Sequence, residues 1–461
     1  MQQQRDQQDR SPFAIRNVRL FVAFRVLFNA RFYYPVFTIL FLDYGLTIEQ
    51  FALLNTVWAI TIVCAEVPSG ALADLLGRKR LLVLTSALMI VELSVIAFIP
   101  IANMTLVFWA FFINRILSGL AEAMASGADE AIAYDSLVAQ GNPAHWPRVL
   151  SVQMRVKALA GIISMTVGAL IYDPDVVNHI LGWFGIDGTI TQQSSMRYPI
   201  FLTLLLGLLA LWTTTQMREN ESQPERDEAP ITLETIWRAG QLTLKAGLWI
   251  LKTPFALAII LFGMMYDHVL RMIITLTSQY YRLIELPEAS FGVIMAGMSI
   301  LGLVIPRIAE YMVKTFTPVQ NTAWLALIAL MALVGLSWFI PYFGVIPMAL
   351  VMIGLMLTAF FSSHYLNQIT SSEQRATVLS FKGLAFNLAY GIIGVLFALL
   401  MQQLRVKNQL AHSDWTAELI GDEAFRQSLG WFPWYASLLI VALTLYCRHA
   451  LKETPAPTEV S

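Results

Sequence analysis

Gly70-Ala71-Leu72-Ala73-Asp74-Leu75-Leu76-Gly77-Arg78-Lys79-Arg80 joins two apolar runs, 49–76 and 79–99, and its last seven residues carry one acid and three bases. A hydrocarbon layer about 30 Å thick takes about 20 helical residues to cross, so each flanking run is long enough to span it. The junction then reads as a tight surface turn between two membrane helices. Gly70 lets helices approach closely. Asp74 places an acid where a helix N-terminus of the opposite half of the chain receives it. Gly77 permits the sharp reversal, and Arg78 is free to pair with an inward-facing carboxylate.

The same alternation extends along the whole chain. Of its 461 residues 57% are hydrophobic and only 13% charged, and the mean hydropathy is +0.62, which is more apolar surface than a soluble fold of this length accommodates. Apolar runs fall near 17–42, 49–76, 79–99, 104–134, 147–172, 197–217, 254–283, 288–313, 319–339, 344–370, 373–404 and 431–448. Barrel strands are about ten residues of alternating polarity, so these runs are helices. The fold class is an all-α membrane protein with about 12 transmembrane helices. The polar start, Met1 to Pro12, lacks the apolar core of a signal peptide.

Lys and Arg concentrate in alternate loops: Arg5, Arg10 and Arg16, then Arg78-Lys79-Arg80, Arg148, the segment 218–253, Lys314, Arg375, Arg448 and Lys452. The intervening loops hold Arg197, Arg282, Arg405, Lys407 and Arg426. The cytoplasmic side keeps the basic excess, so both termini are expected there. The longest connection divides the chain. We read 1–16 as a disordered tail, 17–217 as a six-helix half, 218–253 as a cytoplasmic linker with an amphipathic helix over 231–252, 254–450 as the second six-helix half, and 451–461 as a tail. An offset of about 240 residues pairs Arg31 with Arg271 and Phe51 with Phe291. Long outer loops, 173–196 and 405–430, occupy corresponding places, which favours a duplication.

Residues 70–80 resemble the loop signature of the major facilitator superfamily, G-x-L-a-D-x-x-G-R-[KR]-[KR]. The fourth run adds Arg115-Ile116-Leu117-Ser118-Gly119, similar to that family's R-x-x-x-G element. The resemblance implies two six-helix halves and transport of a small solute by alternating access. It makes Gly70, Asp74, Gly77, Arg78, Lys79 and Arg80 a conformational latch. One departure is that Gly161 to Ala169, in the fifth run, lacks the glycine-proline signature of many drug/proton antiporters.

Charged residues inside apolar runs mark the other candidate groups, because such residues are costly unless paired or facing water. Arg115, Glu122 and Asp129 recur every seven residues and share a helical face. With Gly119 and Glu130 they form an expected fourth-helix charge network, in which Glu122 or Asp129 partners Arg78, Arg155 or Lys157. Arg25, Asn29 and Arg31 in the first run, and Asp267, His268 and Arg271 in the seventh, are candidate coupling or substrate groups. Asp267 would exchange a proton with His268 as relay, unless it only pairs with Arg271 four residues on. Glu92 ranks below these because nothing in the sequence identifies its partner. Tyr280, Tyr281, Phe360, Phe361 and Trp58 are candidates for an aromatic cavity lining.

No phosphate loop, metal cluster or catalytic constellation is legible, and Cys64 and Cys447 lie far apart in apolar runs. The expectation is a non-enzymatic, cofactor-free secondary transporter of the bacterial inner membrane, multi-pass and monomeric, without nucleic-acid partners. Its partners would be an amphipathic or anionic small molecule, protons as co-substrate and the lipid bilayer. Proton-coupled efflux is preferred, with uptake or lipid flipping on the same fold as the alternative.

Overall fold

The structure, a computed structural model, describes residues 11–125, 128–186, 189–219, 241, 248–370 and 372–452, and over 67–68, 70–76, 147, 372–377, 379–380 and 449–452 it describes the backbone alone. The expected amphipathic helix over 231–252 therefore lies mostly outside the described residues, as do the tails 1–10 and 453–461. Among the described residues there are helices and no strands.

Eleven helical stretches among the described residues are long and apolar enough to cross a membrane. The first expected span, 17–42, is not among these, because it is broken into α1 (Arg16–Asn29), a 3-10 turn (Tyr34–Val36) and α2 (Phe37–Asp43). Pro35 has no N–H to donate and restricts Tyr34 before it. Within α1 Asn29 Nδ2 donates back to Arg25 O at 2.8 Å, and of the carbonyls freed at the break Phe28 O accepts from Arg31 Nε at 3.2 Å. Counted with this broken segment, the spans reach the expected dozen. The start of the chain is structured from Pro12, where a 3-10 turn leads Ile15 into a core with Val18, Phe21, Ala133, Leu137 and Val149.

The remaining helices of the first half are α3 (Ile48–Leu76), α4 (Arg78–Ala97), α5 (Met104–Ala125), α6 (Ala128–Gln140), α7 (Trp146–Tyr172), α8 (Pro174–Trp183) and α9 (Tyr198–Thr215). Those of the second half are α10 (Pro254–Thr275), α11 (Thr277–Leu283), α12 (Glu288–Met298), α13 (Leu301–Thr315), α14 (Pro318–Ser337), α15 (Val345–Ile369), α16 (Ser372–Ala411) and α17 (Ala417–Lys452). The two long outer loops are therefore largely helical. Residues 174–183 form α8, capped by the Asp173 carboxylate. Over 405–430, α16 continues to Ala411 and α17 begins at Ala417. At 1.5 Å per residue these two helices run about 60 and 54 Å, far more than the bilayer core requires. Hydropathy misses such extensions because they are helical but polar.

The chain folds into two compact units, residues 1–46, 57–237 and 287–299 in the first and 47–56, 238–286 and 300–461 in the second. In the first, α4 packs between α5 and α9, and α1 lies against α6, α7 and α9. It also takes in α12, which packs on α7 at a backbone crossing: a Cβ on Gly292 would lie 2.0 Å from Met165 O. Next to it, a Cβ on Gly168 would lie 1.8 Å from Phe32 O. Only glycine fits at either place, and the Asp173 carboxylate accepts from Ala289 N at the start of α12. In the second unit α10 packs on α15, α16 and α17, while α14 lies against α15 and α17. Residues 47–56 join α16 there, with Thr56 Oγ1 donating to Gly391 O at 3.1 Å and Arg405 paired with Glu49 at 3.2 Å.

Candidate functional site

The break in the first span positions Arg31. Its Nη1 lies 2.7 Å from Glu92 Oε1 on α4, and both side chains are sealed, at 4% and 0% exposure. The second Glu92 oxygen accepts from Asn114 Nδ2 at 2.8 Å. The Asn114 carbonyl in turn accepts from Arg115 Nε and Nη2, at 3.0 and 2.7 Å. The faces of Phe37 and Phe41 cover the Arg115 guanidinium, 5.3 and 5.4 Å from their ring centres. The result is a buried chain, Arg31–Glu92–Asn114–Arg115, holding two cations and one carboxylate. Glu92, for which the sequence identifies no partner, is its centre.

The expected fourth-helix network is rearranged accordingly. Asp129 does not meet Arg115 or Arg78; its Oδ2 pairs with Arg25 Nε at 2.5 Å, and Arg25 Nη2 donates to Glu130 Oε1 at 2.8 Å. Arg25 is thereby an ion-pair partner, and Asn29 serves the end of its own helix. Arg155 donates to Ser151 Oγ instead of to an acid. Glu122 is exposed and, among the described residues, makes no ion pair, although it acts electrostatically on Lys157 and Tyr34. Gly119 lets α5 approach α3, since a Cβ there would lie 2.9 Å from Thr61 Cβ and 3.1 Å from Trp58 O. Ser126 and Gly127 lie outside the described residues.

At the Arg78 loop, Gly77 takes a φ of +83°, which favours glycine. The backbone N–H groups of Arg78 and Lys79 donate to Glu219 Oε1 and Oε2 at 3.0 and 2.9 Å, so a carboxylate from beyond α9 caps α4. The Arg78 guanidinium pairs with Asp135 on α6. Glu122 and Asp129 are the partners the sequence suggests, but Asp135, further along α6 than Asp129, is the acid that pairs with the Arg78 guanidinium. Arg80 is exposed. Gly70 is described by its backbone alone, and the Asp74 side chain lies outside the described part.

A second, half-buried cluster lies in the other unit. Asp267 and Arg271 on α10 form the expected i, i+4 ion pair, at 13% and 25% exposure. Arg271 also donates to Asn387 Oδ1 at 2.8 Å and stands over the Tyr390 ring at 5.0 Å. Lys382, just over one turn before Asn387 on α16, acts electrostatically on Asp267. One carboxylate, Asp267, thus pairs with Arg271, which Asn387 also holds, with Lys382 within electrostatic range. His268 is not part of it. Its Nδ1 lies 2.7 Å from Met264 O, so that nitrogen donates, leaving Nε2 to accept from Tyr435 Oη at 3.0 Å. Both ring nitrogens are occupied, and the expected relay to Asp267 has no geometric basis. Tyr280 and Tyr281 are buried, Tyr280 packing on Phe339, so they do not line an open cavity.

Asn114, Asp135, Glu219, Lys382 and Asn387 are site residues that the sequence does not single out. Two of them are visible in principle: Asn114 interrupts an apolar run beside Arg115, and Lys382 is a cation well inside the eleventh run.

The described residues thus hold bundles of helices long and apolar enough to cross a membrane, with charged side chains paired inside them. The chain belongs to the Major Facilitator Superfamily, which it matches over residues 20–394. Among solved structures it is similar to the nucleoside transporter NupG, at 13% identity, TM-score 0.66, covering 93% of this chain and 98% of that one. It is likewise similar to a bacterial homolog of the human lysosomal transporter Spinster, at 14% identity and TM-score 0.69, covering 97% and 99%. A D-xylose-proton symporter matches at 14% identity and TM-score 0.58, covering 90% and 96%. At these identities the likeness establishes the fold. No curated protein sequence matches the chain significantly.

Proposed function

We propose that the chain moves a small organic solute across the bacterial inner membrane by alternating access, coupled to protons through Asp267. The observation that carries this reading is the α10–α16 cluster, where one carboxylate, Asp267, pairs with Arg271 and has a second cation, Lys382, within electrostatic range. While Asp267 is ionised it holds Arg271. Protonation removes that hold and raises the local charge from about one surplus cation to two, which favours a different arrangement of α10 against α16. A proton thus shifts a conformational equilibrium. One structural neighbour, the D-xylose-proton symporter, is a proton-linked transporter on this fold.

The Gly70–Arg80 loop is proposed as the conformational latch, its shape set by Gly77, by the Glu219 cap on α4 and by the Arg78–Asp135 pair. Export is the direction proposed, with uptake or lipid flipping the alternative. The test is a solute screen on an overexpressing strain, followed by transport into everted vesicles with and without an imposed pH gradient. Acid-interior vesicles should accumulate the solute. Transport at zero gradient or after protonophore that equals transport with the gradient imposed would overturn proton coupling.

A further inference from the structure

We infer that Arg115 is the docking point for an anionic group, carboxylate or phosphate monoester, on the solute. This rests on the transport reading for the ligand's role as cargo, but the chemistry comes from the first unit alone. A guanidinium buried to 4% exposure is costly without a counter-charge. Among the described residues Arg115 has no carboxylate partner; its bonds go to the neutral carbonyl of Asn114. The single acid of the cluster, Glu92, is already committed through one oxygen to Arg31 and through the other to Asn114. The chain of contacts therefore keeps one positive charge unbalanced at its Arg115 end.

Three further features fit an anionic ligand. Arg115 Nη1 makes no hydrogen bond among the described residues, leaving donor capacity on a guanidinium that otherwise matches carboxylate and phosphate oxygens. Phe37 covers the guanidinium and packs edge-on to Tyr34, which is 44% exposed, so an aromatic step leads from accessible surface toward the cation. That step suits the apolar body of an amphipathic solute. Asn114 also fixes the guanidinium in place before any ligand arrives, which lowers the ordering cost of binding. The acid that is nearest along α5, Glu122, is about two turns away and exposed, and among the described residues it makes no ion pair with Arg115.

The test uses the full-length protein in nanodiscs and four probes of one shape: benzoate, phenyl phosphate, benzyl alcohol and benzylamine. Binding is read by calorimetry, which does not depend on transport. Benzoate or phenyl phosphate should bind at least tenfold more tightly than the alcohol or amine, and the better of the two identifies the anionic group. Arg115→Gln should abolish that preference and Arg115→Lys should retain part of it. Asn114→Asp keeps Arg115 but supplies an internal carboxylate, so it should weaken the anions at least tenfold in a protein that remains folded by gel filtration. No binding of either anion to the wild type, or anion affinity unchanged in both Arg115→Gln and Asn114→Asp, overturns the assignment. Anion binding that persists while gradient-driven transport fails would uphold this site and sink the coupling proposal instead.

Discussion

Replacing Glu92 by Gln tests the buried chain at its centre. The change is nearly isosteric, so packing is preserved and the charge alone is removed. Arg31 Nη1 and Glu92 Oε1 are 2.7 Å apart with essentially no exposure, giving a gross attraction of about 6 kcal/mol at an effective dielectric of about 20. Much of that is offset by desolvation. The net loss on deleting one partner of a buried pair is about 3–5 kcal/mol, because the remaining charge stays buried. Here two guanidiniums, Arg31 and Arg115, would share no acid at all, so the loss should fall at or above about 3 kcal/mol. Removing both members, as Arg31→Met with Glu92→Gln, should recover most of it. The assay is reversible unfolding in mixed micelles followed by tryptophan fluorescence, run as a double-mutant cycle. A loss under about 1 kcal/mol for Glu92→Gln, or a double variant at the sum of the singles, would refute the reasoning.

Other predictions concern the loop and the crossings. Arg78→Asp and Asp135→Arg should each slow transport while changing stability by no more than about 1 kcal/mol, since the pair is partly exposed, and the swap should restore transport; a swap no better than either single variant would count against a functional pair. Gly77→Ala, at φ +83°, should cost about 1–2 kcal/mol in the same unfolding assay, and a neutral result would contradict the turn geometry. Gly292→Ala places a methyl 2.0 Å from Met165 O and should cost about 1–3 kcal/mol by forcing α12 off α7; an unchanged midpoint would argue against the close crossing. A fluorescent reporter fused after Ser461 should read cytoplasmic, and a periplasmic signal would reverse the topology.

Much of the fold was legible because a bilayer imposes long apolar runs, and the 70–80 loop singled out the family. What escaped were features that hydropathy does not encode. The first span reads as one helix until Pro35 is given its steric weight, and it is that break that turns Arg31 toward Glu92. The outer ends of α16 and α17 are helical without being apolar. Within the site, the i, i+4 pair of Asp267 and Arg271 followed from spacing alone. Pairings between helices did not: Asp129 goes to Arg25 on α1, and Asp135 goes to Arg78 at the start of α4. Helical periodicity tells which residues share a face but not which helix that face meets. His268 shows the same limit. Although it adjoins Asp267 in sequence, its ring turns to Tyr435 on α17, while Asp267 holds Arg271, which reaches Asn387 on α16.

The most direct test of proton coupling is Asp267→Asn in proteoliposomes loaded with the identified solute. Two rates are measured on the same preparation, solute exchange at zero gradient and accumulation driven by an imposed pH gradient. Coupling through Asp267 predicts that exchange survives at wild-type order while gradient-driven accumulation disappears. Accumulation retained at the wild-type level would contradict it.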